Sequence, residues 1–280
     1  MAKYLKKFET HAEYEAYSGG GEMLLPNVSY CEDNNEVHYN PSVPETRLIA
    51  KFNVTDTDNP TAICCSDFDA VYLFTEIEIN GDVLPSGEYE YTFNTTGEHI
   101  VKYTLNDPTT IGLSAFSGCN CMTSVTIPNS VTYIDEIAFQ STGLVSIDIP
   151  YSVTSIYSDA FADCSSLIEF NVDENNTDYS SIDGVLFNKT QTELIICPAG
   201  KQGTCVIPNS VTSIGEYAFY GCSSITSIVI EATTPPVVFR GVFDNTNDCP
   251  IYVPSESVEA YNTANRWWSH YASRIQPITV

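Results

Sequence analysis

Apolar and polar positions along this chain follow two rhythms. Between Thr109 and about residue 250 the pattern is long: Ala-Phe recurs at Ala115–Phe116, Ala138–Phe139, Ala160–Phe161 and Ala218–Phe219, with 22 to 24 residues between contiguous units. Counted from the Phe, an Ile stands five residues earlier at Ile111, Ile134, Ile156 and Ile214, and a Val eight earlier at Val131, Val153 and Val211. Met122, Val125 and Ile127 follow Phe116 at the spacing with which Ile225, Ile228 and Ile230 follow Phe219. A unit one residue shorter places Leu144, Ile147 and Ile149 in those roles, and Pro128, Pro150 and Pro208 close the apolar runs. A period in this range predicts stacked coils, each burying its face against the next.

Each slot has a physical task. The Leu-x-x-Val-x-Ile stretch alternates as a strand does, sending Val125 and Ile127 inward and Ser124 and Thr126 outward. Proline cannot continue a ladder and turns the chain. The following Ser-Val-x-x-Ile step feeds a short helical or 3₁₀ turn, in which Ala permits close approach and Phe fills the space between coils. Spacing fails over 171–206: Gly184–Phe187 stands where Gly-x-Ala-Phe would, followed by Leu194–Pro198 and Val206–Pro208. A degenerate coil with a protruding β-hairpin is predicted there, and a fifth coil at Gly241–Phe243.

The second rhythm is the two-residue alternation of 41–105. Ile77 and Ile79 alternate with Glu76 and Glu78, and Asn80-Gly81 supplies a hairpin turn. Tyr89, Tyr91 and Phe93, then Val101, Tyr103 and Leu105, continue the theme, predicting a small antiparallel, immunoglobulin-like β domain. In 1–40, Lys3–Phe8 reads as a strand, and Thr10 with Glu13 as a capping box for a helix over His11–Tyr17, stopped at Gly19–Gly21. From Ile251 the pattern becomes helical, with Ser255 or Ser257 as cap and Val258, Tyr261, Trp267 or Trp268, Tyr271 and Ile275 on the buried side. Such a helix would cover the last coil; the rival use of the tryptophans is a carbohydrate platform. The expected fold class is therefore α+β to mainly β. An αβ module (1–40) and a sandwich-like β domain (41–105) precede a repeat solenoid (106–250) and a C-terminal helical cap (251–280).

Composition narrows the function. Net charge is −25, from 36 acidic against 11 basic side chains. Such a surface repels phosphate backbones and anionic lipid, so nucleic acid is excluded as a partner, whereas cationic partners suit it. No apolar run approaches the ~20 residues of a membrane helix. The basic start lacks an apolar stretch behind it, so no secretory signal is expected within these residues. The ten cysteines do not read as a disulfide framework. Thr142 separates Cys119 from Cys164 at the matching slot, and Thr190 is assigned the same place between Cys164 and Cys222. Sulfurs two coils apart, ~10 Å at the ~4.8 Å strand spacing, exceed the reach of a disulfide. Cys197 and Cys205 flank a turn and could pair.

Catalytic chemistry is not visible. His11, His38, His99 and His270 fall in different modules without a nucleophile at a triad spacing. Asp56–Asn59 and Asp173–Asp178 lack a calcium-loop pattern and read as turns. No metal or cofactor is expected. The outward strand positions remain: Ser124, Thr126, Ser146, Asp148, Glu169, Asn171, Ser227 and Val229 are the candidate ligand face, polar and short in the manner of protein-recognition surfaces.

The unit IPNSVTSIGEYAFYGCSSITSIVI (207–230), the variant GVLFNKTQTELIICP and the ending IYVPSESVEAY with YASRIQPI resemble the BspA-like leucine-rich repeats of gut and oral bacteria. The resemblance covers about 106–280, and differs from the familiar leucine-rich pattern in lacking the Asn/Cys-x-Leu turn. It implies a right-handed curved solenoid with a parallel sheet, surface exposure and adhesion to host-matrix or bacterial surface proteins. The opening LPNVSYCEDNNEVHYNP is similar to a leader module of Bacteroidales and their phages. Two functions follow as expectations: a non-enzymatic adhesion or protein-binding protein, or a virion-associated component whose N-terminal modules dock into an assembly.

Overall fold

The computed structural model describes the backbone of residues 28–31 and 36–39, and residues 47–64, 73–85 and 87–279. The readings of Lys3–Phe8, His11–Tyr17 and Gly19–Gly21 lie outside them. At the front, β1 (Val28–Cys31) pairs antiparallel with β2 (Glu36–Tyr39). Then come β3 (Arg47–Val54), β4 (Thr61–Ala62), β5 (Phe74–Ile79), β6 (Asp82–Val83), β7 (Glu90–Tyr91) and β8 (Gly97–Leu105). β3, β8, β5 and β6 form antiparallel neighbours in that order, while β4 pairs with β7. Asn80 and Gly81 turn β5 into β6 with φ of 55° and 91°, the positive pair that a two-residue hairpin needs. Alternation holds along β3, where Leu48, Ala50, Phe52 and Val54 are buried.

The repeats begin with β9 (Thr110–Ile111), β10 (Met122–Thr126), β11 (Tyr133–Ile134), β12 (Ser146–Ile149), β13 (Ser155–Ile156) and β14 (Glu169–Val172). Two parallel ladders run through them. β12 pairs with β14, and β9, β11 and β13 join residue by residue, Ile111 beside Ile134 beside Ile156. The Ile slot is thus a two-residue parallel strand that leads into the Ala-Phe turn. One inter-coil bridge at each Ile contributes a backbone ladder that an isolated turn would lack. The Pro carbonyls at 128, 150 and 208 accept from the N–H of Val131, Val153 and Val211 at 3.0, 3.2 and 3.1 Å, closing the turn that each proline begins.

Ala-Phe turns stack through their own backbone. The Phe116 N–H donates to the Ala138 carbonyl and Phe139 N–H to Ala160, each at 2.8 Å. Phe116 and Phe139 rings lie 5.4 Å apart and 14° from parallel; Phe139 and Phe161, 5.3 Å and 7°. An alanine methyl at the preceding position is what lets these backbones meet. Two residues after each Phe the chain is left-handed, at Gly118, Ser141, Asp163, Gly221 and Asn245 (φ 81°, 56°, 58°, 77° and 59°). Glycine and short polar residues are those that tolerate this conformation.

β10 departs from the solenoid expectation: it pairs antiparallel with β3, Val125 opposite Ala50 and Thr126 opposite Ile49. The first coil therefore continues the front sheet, and Phe116 packs on Phe74 and Tyr103. One buried cluster runs from Leu48 through to Phe170 and beyond.

The irregular stretch holds β15 (Tyr179–Ile182), β16 (Val185–Asn188) and β17 (Glu193–Ile196), an antiparallel meander. It does not protrude. Leu186 packs into the first core while Val185 and Phe187 pack into the second, and all three are buried. β16 is a wall with a core on each face. Asn176 joins the stretch to the coil before it: fully buried, its amide donates to the carbonyls of Pro150 and Val153 and its oxygen accepts from the N–H groups of Asp178 and Tyr179.

Parallel stacking resumes with β18 (Gly203–Ile207), β19 (Ser213–Ile214), β20 (Ile225–Ile230) and β21 (Val237–Val238). After β22 (Ile251–Val253) come two short helices, α1 (Val258–Thr263) and α2 (Arg266–His270), and then β23 (Ile275–Pro277), which pairs with β22. The single helix expected here is divided because Asn265 restarts it, accepting from the N–H of Trp267 and Trp268; neither Ser255 nor Ser257 caps through its side chain. Trp268, fully buried, donates its indole N–H to the Pro236 carbonyl at 2.8 Å and rests against Phe243. That residue is core, not a platform.

The thiols follow the sequence reading in part. Thr142 lies between coils with its hydroxyl 3.2 Å from the Cys164 sulfur, but Thr190 is exposed in the β16–β17 turn. Cys197 stands instead in the Phe slot of its coil: its carbonyl accepts from the Cys222 thiol as the Phe139 carbonyl does from the Cys164 thiol. Cys197 and Cys205 are free thiols. Burial, and then the neighbouring Cys205 and Cys222 thiols, push the Cys197 thiol well above its ordinary range.

Candidate protein-binding face

Strand pairing fixes where each outward side chain stands. Between β12 and β14, Ser146 is opposite Glu169 and Asp148 opposite Asn171. The Asn171 amide donates to Asp148 Oδ1 at 3.1 Å, so the two present a joined polar edge rather than a lone charge. Thr126 completes the row. With Ile127, Ile149, Pro150, Val172 and Asp173, the side chains of Thr126, Asp148 and Asn171 line a groove of ≈370 Å³. Asp173 closes the groove in a fixed conformation, its carboxylate accepting from the N–H and side-chain amide of Asn175.

The other candidates separate. Ser124 lies opposite Lys51 of the front sheet, at the start of the same array. Ser227 and Val229 belong to the second parallel sheet, beside Thr204 and Val206, where the Thr204 and Ser227 hydroxyls are 2.8 Å apart. Between the two sheets stands Gly184. Its carbonyl accepts from Phe170 N–H, and a Cβ at this position would lie 2.8 Å from Glu169 Cβ. The backbone crossing there divides the outward positions into a front set and a rear set.

Two face residues were not among the candidates. Val145 and Ile168 occupy the slot just after the buried Leu, are 45% and 46% exposed, and are joined by the Ile168 N–H to Val145 carbonyl bond. The same slot holds Thr123 in the coil before, so its apolar character in two successive units was the available sign. Together the front set offers an apolar pair beside the Asp148–Asn171 edge.

Acid pairs elsewhere act structurally. Asp56 accepts from Asp58 N–H and the Asn59 amide, which lowers its pKa, the Asn59 side chain contributing most. His99 bonds the Thr95 carbonyl and packs at a tilt on Phe93, and His270 packs on Tyr271. Among the described residues no group of three or more His, Cys, Asp or Glu is placed to hold a metal ion, and no helix is long and apolar enough to cross a membrane.

The family model for the BspA type leucine rich repeat region matches residues 86–203 and 199–264, in six copies. The chain belongs to this family. Its array is similar to solved bacterial leucine-rich repeat proteins. One is the pneumococcal vaccine antigen PcpA (23% identity over 46% of this chain and 38% of that one, TM-score 0.37). Another is a leucine rich cell surface protein from Faecalibacterium prausnitzii (23%, 61% and 56%, TM-score 0.42). A third is a leucine-rich repeat protein from Bacteroides ovatus (21%, 52% and 47%, TM-score 0.32). The chain thus spans about two-fifths to just over half the length of these three. No curated protein matches it.

Proposed function

We propose that this BspA-type repeat protein is a non-enzymatic binding protein of the bacterial surface, engaging a protein ligand through its front strand face. In this reading the coils form a right-handed solenoid, preceded by a small immunoglobulin-like β domain and closed by residues 251–280 as a helical cap. The observation that carries the reading is the front set itself: the joined Asp148–Asn171 edge over a groove, with exposed Val145 and Ile168 alongside. Exposed apolar side chains next to hydrogen-bonding ones are the composition of a recognition surface. The acid-rich surface favours a ligand with a basic patch, whose approach it accelerates at low salt.

The test is surface plasmon resonance of the full chain over host extracellular-matrix preparations and over the purified surface proteins of co-resident bacteria. Wild-type protein is expected to bind one of them. D148K and I168D should weaken that binding by at least about tenfold, the scale of one lost interfacial hot spot, without moving the thermal midpoint. Binding that survives both substitutions would remove the front face from the function.

A further inference from the structure

The Ala-Phe turns form a continuous backbone ladder except at one rung. Phe116 donates to Ala138 and Phe139 to Ala160; later, Cys197 donates to Ala218 at 2.8 Å and Phe219 to Val242 at 3.0 Å. Among the described residues Phe161 N–H has no such partner. The coil that should supply it runs Ile196-Cys197-Pro198-Ala199-Gly200-Lys201, a tight turn in which Gly200 packs directly on the carbonyls of Ser165 and Leu167. No Ala-Phe turn is built there. The space it would fill is a cleft of ≈510 Å³, within the ~300–1,000 Å³ range of small-molecule sites.

We propose that this cleft is a saccharide-binding site. Its floor is apolar, made by Phe161, Ile196 and Pro198, and its walls carry Gln140, Asp159, Asp163 and Arg240. Tyr217 and Tyr220 stand at its edge, 44% and 40% exposed, with rings at 88° and 5.8 Å. Tyr217 is held in place from below: the left-handed Gly241 (φ 69°) leaves the room that a Cβ, 2.4 Å from the ring, would take away. Asp244 is already engaged by the Tyr271 hydroxyl, whereas Arg240 makes no ion pair among the described residues.

The ligand class follows from this mixture. Carboxylates and a guanidinium in one cleft supply dense acceptors and donors together, and Asp159, Asp163 and Asp244 against one Arg240 disfavour an anionic guest. A purely apolar guest would strip water from Asp159, Asp163 and Arg240 without replacing their hydrogen bonds. A sugar answers both demands, its hydroxyls donating and accepting while its C–H face rests on a tyrosine ring. No residue of β12 or β14 lines the cleft, so the assignment stands independently of the protein-binding face.

Saturation-transfer NMR on the full chain, with glucose, galactose, mannose, N-acetylglucosamine and lactose at millimolar concentration, tests it. At least one sugar should show transfer, and Arg240→Ala and Tyr220→Ala should each weaken it by at least about tenfold, as loss of a charged hydrogen bond or a stacking face does. Both side chains are exposed, so the thermal midpoint should not move. Absence of transfer from all five sugars would overturn the assignment, as would binding indifferent to both substitutions or binding abolished by D148K.

Discussion

The Tyr103 ring stands edge-on to Phe116, centroids 5.0 Å apart and planes at 80°, while its hydroxyl donates to the Ile63 carbonyl. The pair joins the front sheet to the first coil, as β3–β10 pairing does through the backbone. Phe116→Ala empties a site touched by Phe74, Tyr103 and Phe139 and should destabilise the protein by about 3–5 kcal/mol. Urea unfolding would show it, with tyrosine fluorescence of the front sheet and Trp268 fluorescence recorded together. An unchanged front-sheet transition would contradict the continuous core.

Glycine substitutions should divide into two classes. Gly221 is left-handed with open space around its missing side chain, so Gly221→Ala should cost about 1–2 kcal/mol, the backbone penalty alone. Gly143 is not left-handed, yet a Cβ would meet the Asn120 carbonyl oxygen at 2.2 Å. Gly143→Ala must therefore push two coils apart and should cost more than Gly221→Ala. Conversely, Ser141→Gly, at an exposed left-handed position, should raise the midpoint of thermal unfolding.

Arg274 is a buried cation satisfied by oxygen. Its guanidinium donates to the carbonyls of Cys249 and Phe243 and to the Thr246 hydroxyl, at 2.9, 3.1 and 2.8 Å. Those are the loose ends of the last coil. Arg274→Met keeps bulk but orphans the acceptors, and should cost about 1–3 kcal/mol. Lys, with a point charge instead of a planar fork, should not restore it. Chemical denaturation of the two variants decides this.

Alkaline pH should unfold the chain through its tyrosines. Burial pushes Tyr271 up to about 12, raises Tyr261 further and holds Tyr103 well above its ordinary value. The protonated phenols favour the folded state. Their stabilisation is complete below the unfolded value of about 10 and is lost as pH rises from there through 12. Thermal midpoints should be flat from pH 7 to 9 and fall above pH 10. Tyr271→Phe should weaken that dependence.

The repeat was readable because stacking demands the same residue at the same place in every coil. Ile111, Ile134 and Ile156, and the Phe ladder, sit where the spacing put them. What the spacing could not say was how an Ile slot hydrogen-bonds, since a buried side chain does not name its backbone partner. Thr190 was misplaced because the ladder was counted through a stretch whose length had changed, and Cys197 stands where a Phe would. The β3–β10 seam joins residues 70 or more positions apart and leaves no local trace. For the binding face, alternation along each strand placed Asp148 beside Asn171, but Gly184 crossing behind Glu169 depends on the fold of the meander. The cleft is invisible in sequence, because it consists of a turn that was not built.

The double-sided strand β16 carries one last consequence. Each coil touches it only through its immediate neighbour, Leu186 receiving the front series and Val185 with Phe187 the rear. Units could be gained or lost on either side while the partition itself stayed the same. The length of the molecule is thus adjustable in two places, with one fixed bulkhead between them.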